Sequence, residues 1–270
     1  MAITAKDVAK LRNQTGAGMM DCKKALTEAN GDFEAAVDLL RKQGQKVAAK
    51  RSDRDAKEGA VLAKSNGSNG AALVLNCETD FVAINESFLS FAQSILDTAL
   101  ENKAKTIDEV KALQLNGHTI EDNITSQIGT IGEKLQISAY EFVSDESVAA
   151  YIHPGNKLAT LVSLNKAGND AAGKDVAMQV AAMAPVALNR DLVSQETIDR
   201  ELEVGKELAR QEGKPEAMLE KIAQGRLNKF FKESTLVDQA FVKDSKKSVS
   251  QYLNDTDKGL AVTGFKRLSL

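Results

Sequence analysis

The residues best placed for chemistry in this chain are Thr79, Asp80, Phe81 and Val82. They follow Ala71-Ala72-Leu73-Val74-Leu75-Asn76, an apolar run that reads as a buried strand, and precede a helical pattern that starts near Asn85. A carboxylate and a large aromatic therefore sit side by side at a strand-to-helix turn. Turns lie at the surface, and a turn held by a rigid sheet is a common seat of function. The chemistry on offer is recognition: a hydrogen-bond acceptor beside an apolar anchor. The chain has only nine Phe, three Tyr and no Trp, which makes an aromatic at a turn conspicuous. Two arrangements fit these residue types. Phe81 folds back onto its own core while Asp80 caps the next helix, or Phe81 stands out and a partner covers it.

Bond-making chemistry finds little support. Cys22 and Cys77 are far apart and neither belongs to a CxxC pair, which suits a reducing compartment without disulfides. His118 and His153 are isolated, so no zinc site, Ser-His-Asp set or Cys-His set is expected. Gly129-Thr130-Ile131-Gly132-Glu133-Lys134 lacks the spacing of a phosphate loop and the hydroxyl after its lysine that would bind magnesium. Gly16-Ala17-Gly18 is too short for a dinucleotide fingerprint. The carboxylates fall on solvated helix faces. The expectation is a protein that binds another protein, is not an enzyme, and needs neither cofactor nor metal.

The chain has 270 residues and a net charge of −3. That length suffices for two or three domains. The densest basic stretch, Lys42 to Lys57, is diluted by Asp53 and Asp55 and reads as a solvated helix end and linker. A nucleic-acid binder would show a basic stripe. No apolar stretch reaches membrane-spanning length, and the first residues lack a signal-peptide profile. The expected location is cytoplasmic.

The elements that must carry Thr79–Val82 fall into five stretches. Residues 1–44 read as three short helices forming a docking module, with Thr4 and Asp7 as a capping box, Asp32 as a helix cap and Gly44 as the closing residue. Residues 45–58 read as helix tail and linker. Residues 59–145 form one α+β core subdomain. It begins with a hairpin that turns at Asn66-Gly67 or Asn69-Gly70. Residues 146–189 and 234–270 form a second core subdomain. A shift of 88 positions brings Leu73-Val74 onto Leu161-Val162 and Ala99-Leu100 onto Ala187-Leu188, a weak internal echo. Residues 190–233 read as an inserted antiparallel helical hairpin of coiled-coil type. Its seam is Ile198, Leu202, Gly205 and Ala209 against Leu219, Ile222, Arg226 and Phe230, with Gly213-Lys214-Pro215 at the tip. The fold class is α+β, with antiparallel sheets in a two-part core.

Three segments resemble signatures of the bacterial elongation factor Ts family. They are Leu11-Arg12 with Thr15-Gly16-Ala17-Gly18-Met19-Met20-Asp21-Cys22-Lys23-Lys24-Ala25-Leu26, then Cys77-Glu78-Thr79-Asp80-Phe81-Val82-Ala83, then Ile131-Gly132-Glu133. The resemblance runs from about residue 2 to residue 268. It implies an N-terminal ubiquitin-associated-like helical domain and exchange of guanine nucleotide on the translational GTPase elongation factor Tu, without direct nucleic-acid contact. It places Arg12, Met19 and Met20 against the partner's GTPase domain. Thr79, Asp80, Phe81 and Val82 fall in a loop that inserts into that domain, and Ile131 and Gly132 at a further contact near the nucleotide. Gln127 to Gly132 holds two Ile-Gly pairs, and the second is preferred because Glu133 follows it. Family members often carry a further C-terminal helix; here Leu270 follows soon after Phe265-Lys266-Arg267, so that contact is expected to be absent or replaced. The alternatives are a docking or chaperone-like adaptor, and an enzyme with an unrecognised pocket.

Overall fold

The computed structural model describes residues 3–270. Met1 and Ala2, the start of the expected 1–44 module, lie outside the described residues. Three helices come first: α1 (Ala5–Thr15), α2 (Met19–Glu28) and α3 (Phe33–Arg51). The Thr4–Asp7 capping box opens α1, Gly16 ends it in the left-handed conformation, and the Asp32 side chain caps α3. Val8, Leu11, Cys22, Leu26 and Ala36 form their shared core.

The chain then builds β1 (Glu58–Ser65), β2 (Gly67–Cys77), the single turn α4 (Asp80–Ala83), α5 (Glu86–Glu101), α6 (Ile107–Ala112), the short pair β3 (Gln114–Leu115) and β4 (His118–Thr119), and α7 (Ile120–Ile131). After these come β5 (Gln136–Ile152), β6 (Leu158–Leu164), α8 (Asp170–Met183), α9 (Gln195–Gln211), α10 (Leu219–Ser234), β7 (Ala240–Phe241), β8 (Asp244–Ser248), α11 (Val249–Thr256) and β9 (Val262–Ser269). The fold is α+β with antiparallel pairing. The main sheet runs β1-β2-β5-β6-β9. The β1–β2 hairpin turns at Gly67-Ser68, between the paired Asn66 and Asn69, where the positive φ of Gly67 suits the turn.

β5 joins the two halves of the core. Its first part pairs with β2 and its last part, from Ser147, pairs with β6. The expected boundary at 145/146 thus falls inside one strand, and the sheet is continuous across it. On one face Leu73 and Leu75 of β2 pack against Phe88, Ile95 and Leu96 of α5 and Ile124 and Ile128 of α7. On the other, Ala72 and Val74 meet Val148 and Leu161, so the sheet folds over itself. Burial on both faces explains why residues 71–75 form an unbroken apolar run rather than an alternating one.

Several expectations need correction. Gly44 does not close a unit: it is buried within α3, which continues to Arg51, so the helix-tail part of the expected 45–58 stretch reaches Arg51 and only 52–57 lies between α3 and β1. The reason is a backbone contact. A Cβ at Gly44 would stand 2.8 Å from the Thr125 carbonyl of α7, and one at Gly129 would stand 2.7 Å from Gly44 Cα. The two glycines let α3 and α7 cross at close range. The α10 seam is also shifted by one residue, to Leu219, Ala223, Leu227 and Phe231. Small Ala223 opposes Gly205, while Arg226 leaves the seam to reach Glu212 (2.6 Å). The echo holds for the β2–α5 and β6–α8 pairs, but Ala187-Leu188 lies beyond the end of α8, where Ala187 bridges to Thr235. α11 had no counterpart in the sequence reading.

Gly44→Ala tests the crossing. In an open helix this change stabilises by about 1 kcal/mol. Here the added methyl meets backbone that cannot rotate away, so a net loss of about 1–3 kcal/mol is expected in a urea melt. A stabilised variant would show that α3 and α7 do not meet in this way.

Candidate functional site

Three chain segments converge on the turn at 78–82. β2 delivers Cys77, whose thiol donates to the Thr79 carbonyl at 3.1 Å. Burial pushes that thiol up to about 12, with the nearby charges of Glu133 and Glu58 adding to the effect. It is an inert support. Thr79, rather than Asp80, caps α4: its hydroxyl oxygen accepts from the Val82 N–H at 3.4 Å. Thr79 takes this place because its β-extended backbone points the hydroxyl back over the turn.

The end of α7 supplies the second segment. Gly132 ends α7 with φ +79° and donates its N–H to the Ile128 carbonyl. An added Cβ would touch nothing there, so the constraint is the left-handed backbone alone. The next residue, Glu133, reaches across to the turn. Its Oε2 accepts the N–H groups of Glu78 and Thr79, each at 3.0 Å, and its Oε1 accepts the Thr79 hydroxyl at 2.7 Å.

Glu78 makes the return contact. Its Oε1 accepts the Lys134 N–H at 2.7 Å, and both its oxygens accept from Arg51 Nη1 at 3.1 and 2.9 Å. Burial by itself would raise the Glu78 carboxyl, but the Lys134 N–H and the Arg51 guanidinium together hold it below its ordinary value. Arg51 is the last residue of α3, the third segment. Lys134 also ties down the chain beyond it, donating Nζ to the carbonyls of Ser52 (2.8 Å) and Arg54 (3.0 Å).

The held turn splits its side chains by direction. Ala83 is buried and Val82 packs against the main core. Asp80 points to solvent, and Phe81 is 79% exposed. The first arrangement considered from sequence, Phe81 folded back on its own core, is not the one observed. Ile84, one helical turn on, is 73% exposed and extends the apolar surface of Phe81. The sequence reading passed over Ile84, though its i, i+3 spacing from Phe81 was visible. It also passed over Arg51 and Glu78, and valued Glu133 only as a marker of register.

The remaining candidates lie at two places. Ile131, the last residue of α7, packs partly against the core beside Gly132, while Ile128 of the other Ile-Gly pair is buried and its Gly129 sits on Gly44. Arg12, in the last turn of α1, and Met19 and Met20, the first two residues of α2, flank the Gly16–Gly18 turn. All three are exposed, Met20 by 75%. Cys22 supports that turn from below by donating to the Ala17 carbonyl at 3.5 Å. A cavity of about 320 Å³ separates these helices from α7 and is lined in part by Gln14, Arg41, Phe91, His118 and Ser126. No hydrogen bond joins His118 to Ser126.

Residues 78–270 match the family model described as Elongation factor TS, a match that begins at the turn itself. Similarity to individual proteins spans the helical module as well. The chain is 56% identical over 273 residues to "Elongation factor Ts" of Amoebophilus asiaticus (strain 5a2), covering 99% of this chain and 99% of that protein. It is 52% identical over 271 residues to "Elongation factor Ts" of Porphyromonas gingivalis (strain ATCC BAA-308 / W83), covering 100% and 99%. It is 53% identical over 272 residues to "Elongation factor Ts" of Christiangramia forsetii, covering 99% and 98%.

The Glu78 contacts carry a pH signature. Its carboxyl is lowered in the folded chain from an ordinary value of 4.5. The folded state therefore prefers ionised Glu78. The resulting stability is present above the ordinary value and is lost as pH falls through the lowered one. Glu78→Gln is expected to melt earlier than the parent at pH 7, and the gap should narrow as pH falls below the ordinary 4.5 and close as it passes through the lowered value. A gap that is constant, or that widens in acid, would contradict the Arg51 and Lys134 contacts as its cause.

Proposed function

The chain belongs to the elongation factor Ts family, and from that premise we propose that it is a guanine nucleotide exchange factor for elongation factor Tu, promoting GDP release during translation elongation. The observation that carries the reading is Phe81. An aromatic ring stands in solvent on a turn whose backbone is hydrogen-bonded to Glu133 and whose Glu78 side chain is bonded to Arg51 and Lys134. Isolated from a partner, such an arrangement only costs solubility. It makes sense as an anchor presented ready for burial.

A GTPase holds GDP through a phosphate loop and a magnesium ion. A factor that binds the nucleotide-free or distorted state better weakens nucleotide binding, and nucleotide weakens the factor by the same ratio. In this reading Phe81 is the wedge that displaces groups supporting the magnesium and phosphate sites, with Ile84 widening its apolar face. Burying a Phe contributes about 1.5–3 kcal/mol. At about 1.4 kcal/mol per factor of ten, that offsets roughly a ten- to hundredfold distortion of the partner. Asp80 accepts hydrogen bonds from the partner and sets the wedge's direction. Thr79 and Val82 hold it from behind.

Arg12, Met19 and Met20 form a docking surface. Methionines are flexible and polarisable, and suit a partner surface that moves. Ile131 and Gly132 approach the partner near the nucleotide. The chain itself breaks no bond and needs no cofactor. Work on a translational GTPase places it in the cytoplasm, and none of the described helices is long and apolar enough to cross a membrane.

The test is release of labelled GDP from elongation factor Tu. Phe81→Ala should change the stability of the free chain by no more than about 0.5 kcal/mol, as for surface substitutions. It should slow release at least several-fold. A folded variant with parental release rates would overturn the wedge. Binding of the parent chain without faster release would point to an adaptor instead.

The docking surface makes a separate prediction. Met20→Asp should raise the concentration of this protein needed for half-maximal release, and leave the saturating rate near the parental value. A drop confined to the saturating rate would assign Met20 to the exchange step rather than to docking.

A further inference from the structure

We propose that Glu133 is a positioning residue for exchange: its carboxylate holds the 78–82 turn in the orientation from which Asp80 and Phe81 act, and so governs the rate of nucleotide release from the docked complex. The proposal rests on the exchange reading above and deepens it.

The geometry is specific to one target. Among the described residues, the Glu133 side chain hydrogen-bonds to Glu78 and Thr79 alone. Among the described residues it joins no salt bridge, although its neighbours Glu78 and Arg51 share one. A carboxylate without a cationic partner, satisfied by successive backbone N–H groups and a hydroxyl, acts as a backbone clamp. It also commits the single proton of the Thr79 hydroxyl. That leaves the hydroxyl lone pair for the Val82 N–H, the bond that aims the first turn of α4. Glu133 thereby sets the direction of Phe81 without touching it.

The clamp is oriented from both sides. Gly132 reverses the chain so that Glu133 leaves α7 toward the turn. The Lys134 N–H is held in turn by Glu78. The 78–82 and 131–134 segments are therefore one mechanical unit, although more than fifty residues separate them. A turn freed from Glu133 would keep its partner-facing side chains and lose their fixed direction. If it then presented Phe81 correctly about a tenth of the time, release at saturation would fall about tenfold. Docking through Met19 and Met20 would be untouched.

Three variants test this: Glu133→Ala, Glu133→Gln and Glu133→Asp. Labelled GDP release from elongation factor Tu is measured over a range of each folded full-length variant, with the parent alongside. Glu133→Ala should lose about tenfold in saturating rate, with half-saturation within about twofold of the parent. Glu133→Gln should recover most of the rate, because the amide oxygen can accept the two N–H groups and the amide can donate to the Thr79 hydroxyl. Glu133→Asp, one methylene short, should resemble Glu133→Ala. A Glu133→Ala protein with a parental saturating rate would overturn the proposal, as would a Gln variant no better than Asp. If the Ala variant does not fold, the Gln and Asp pair decides. A residue of purely structural importance would lower the melting temperature of the variants and leave the saturating rates of the folded ones alike. A parent that itself fails to speed release would overturn the exchange reading, and this proposal with it.

Discussion

Two carboxylates on different loops each accept backbone N–H groups of the other's loop, and the rest of the site depends on that exchange. Glu133 takes the amides of Glu78 and Thr79, and Glu78 takes the amide of Lys134. Two negative charges brought together would repel. Arg51 and Arg54 bring positive charge to Glu78, and the backbone N–H groups of Glu78, Thr79 and Lys134 occupy lone pairs on both carboxylates. Each large element has a reason to end there. β2 arrives with Cys77, α7 stops at Gly132, and α3 ends on Arg51. The close glycine crossing of α3 and α7 is what carries Arg51 to the junction.

This construction decides how binding energy is used. A loop that must order on binding spends part of its interaction energy on its own entropy. The turn at 78–82 is held by hydrogen bonds in the free chain, so in the proposed reading that energy goes into distorting the partner. The cost is an exposed apolar surface at Phe81 and Ile84, bearable because it is small and flanked by Asp80 and Asn85. The exposed methionines at Met19 and Met20 follow a different logic, since flexible side chains suit docking better than wedging. In the proposed reading, an adaptable contact lies on the helical module and a rigid one on the core.

The core of this arrangement was legible in the sequence, because local signals carry it. The apolar run at 71–76 and the helical pattern from about Asn85 place the turn between them. The Thr4 and Asp32 caps mark helix starts where the structure has them. Whether Phe81 pointed in or out was not legible, because a single aromatic between strand and helix satisfies either packing. The role of Glu133 was hidden for a different reason: its partners lie far away in sequence, and pattern-reading sees only neighbours. Gly44 misled because a glycine after a helical stretch usually marks its end, whereas here it marks a close approach of two backbones. The one-residue shift in α10 came from reading Arg226 as a seam position; its stem fits the spacing, but its charge seeks Glu212.

The account's central claim is that the turn is built before the partner arrives. Amide hydrogen exchange of Glu78, Thr79 and Val82 measures this most directly, compared between the free chain and its complex with nucleotide-free elongation factor Tu. The account predicts strong protection of all three amides in the free chain, with little further change on binding. Exchange near the rate of an unstructured peptide in the free chain, with protection gained only in the complex, would contradict it.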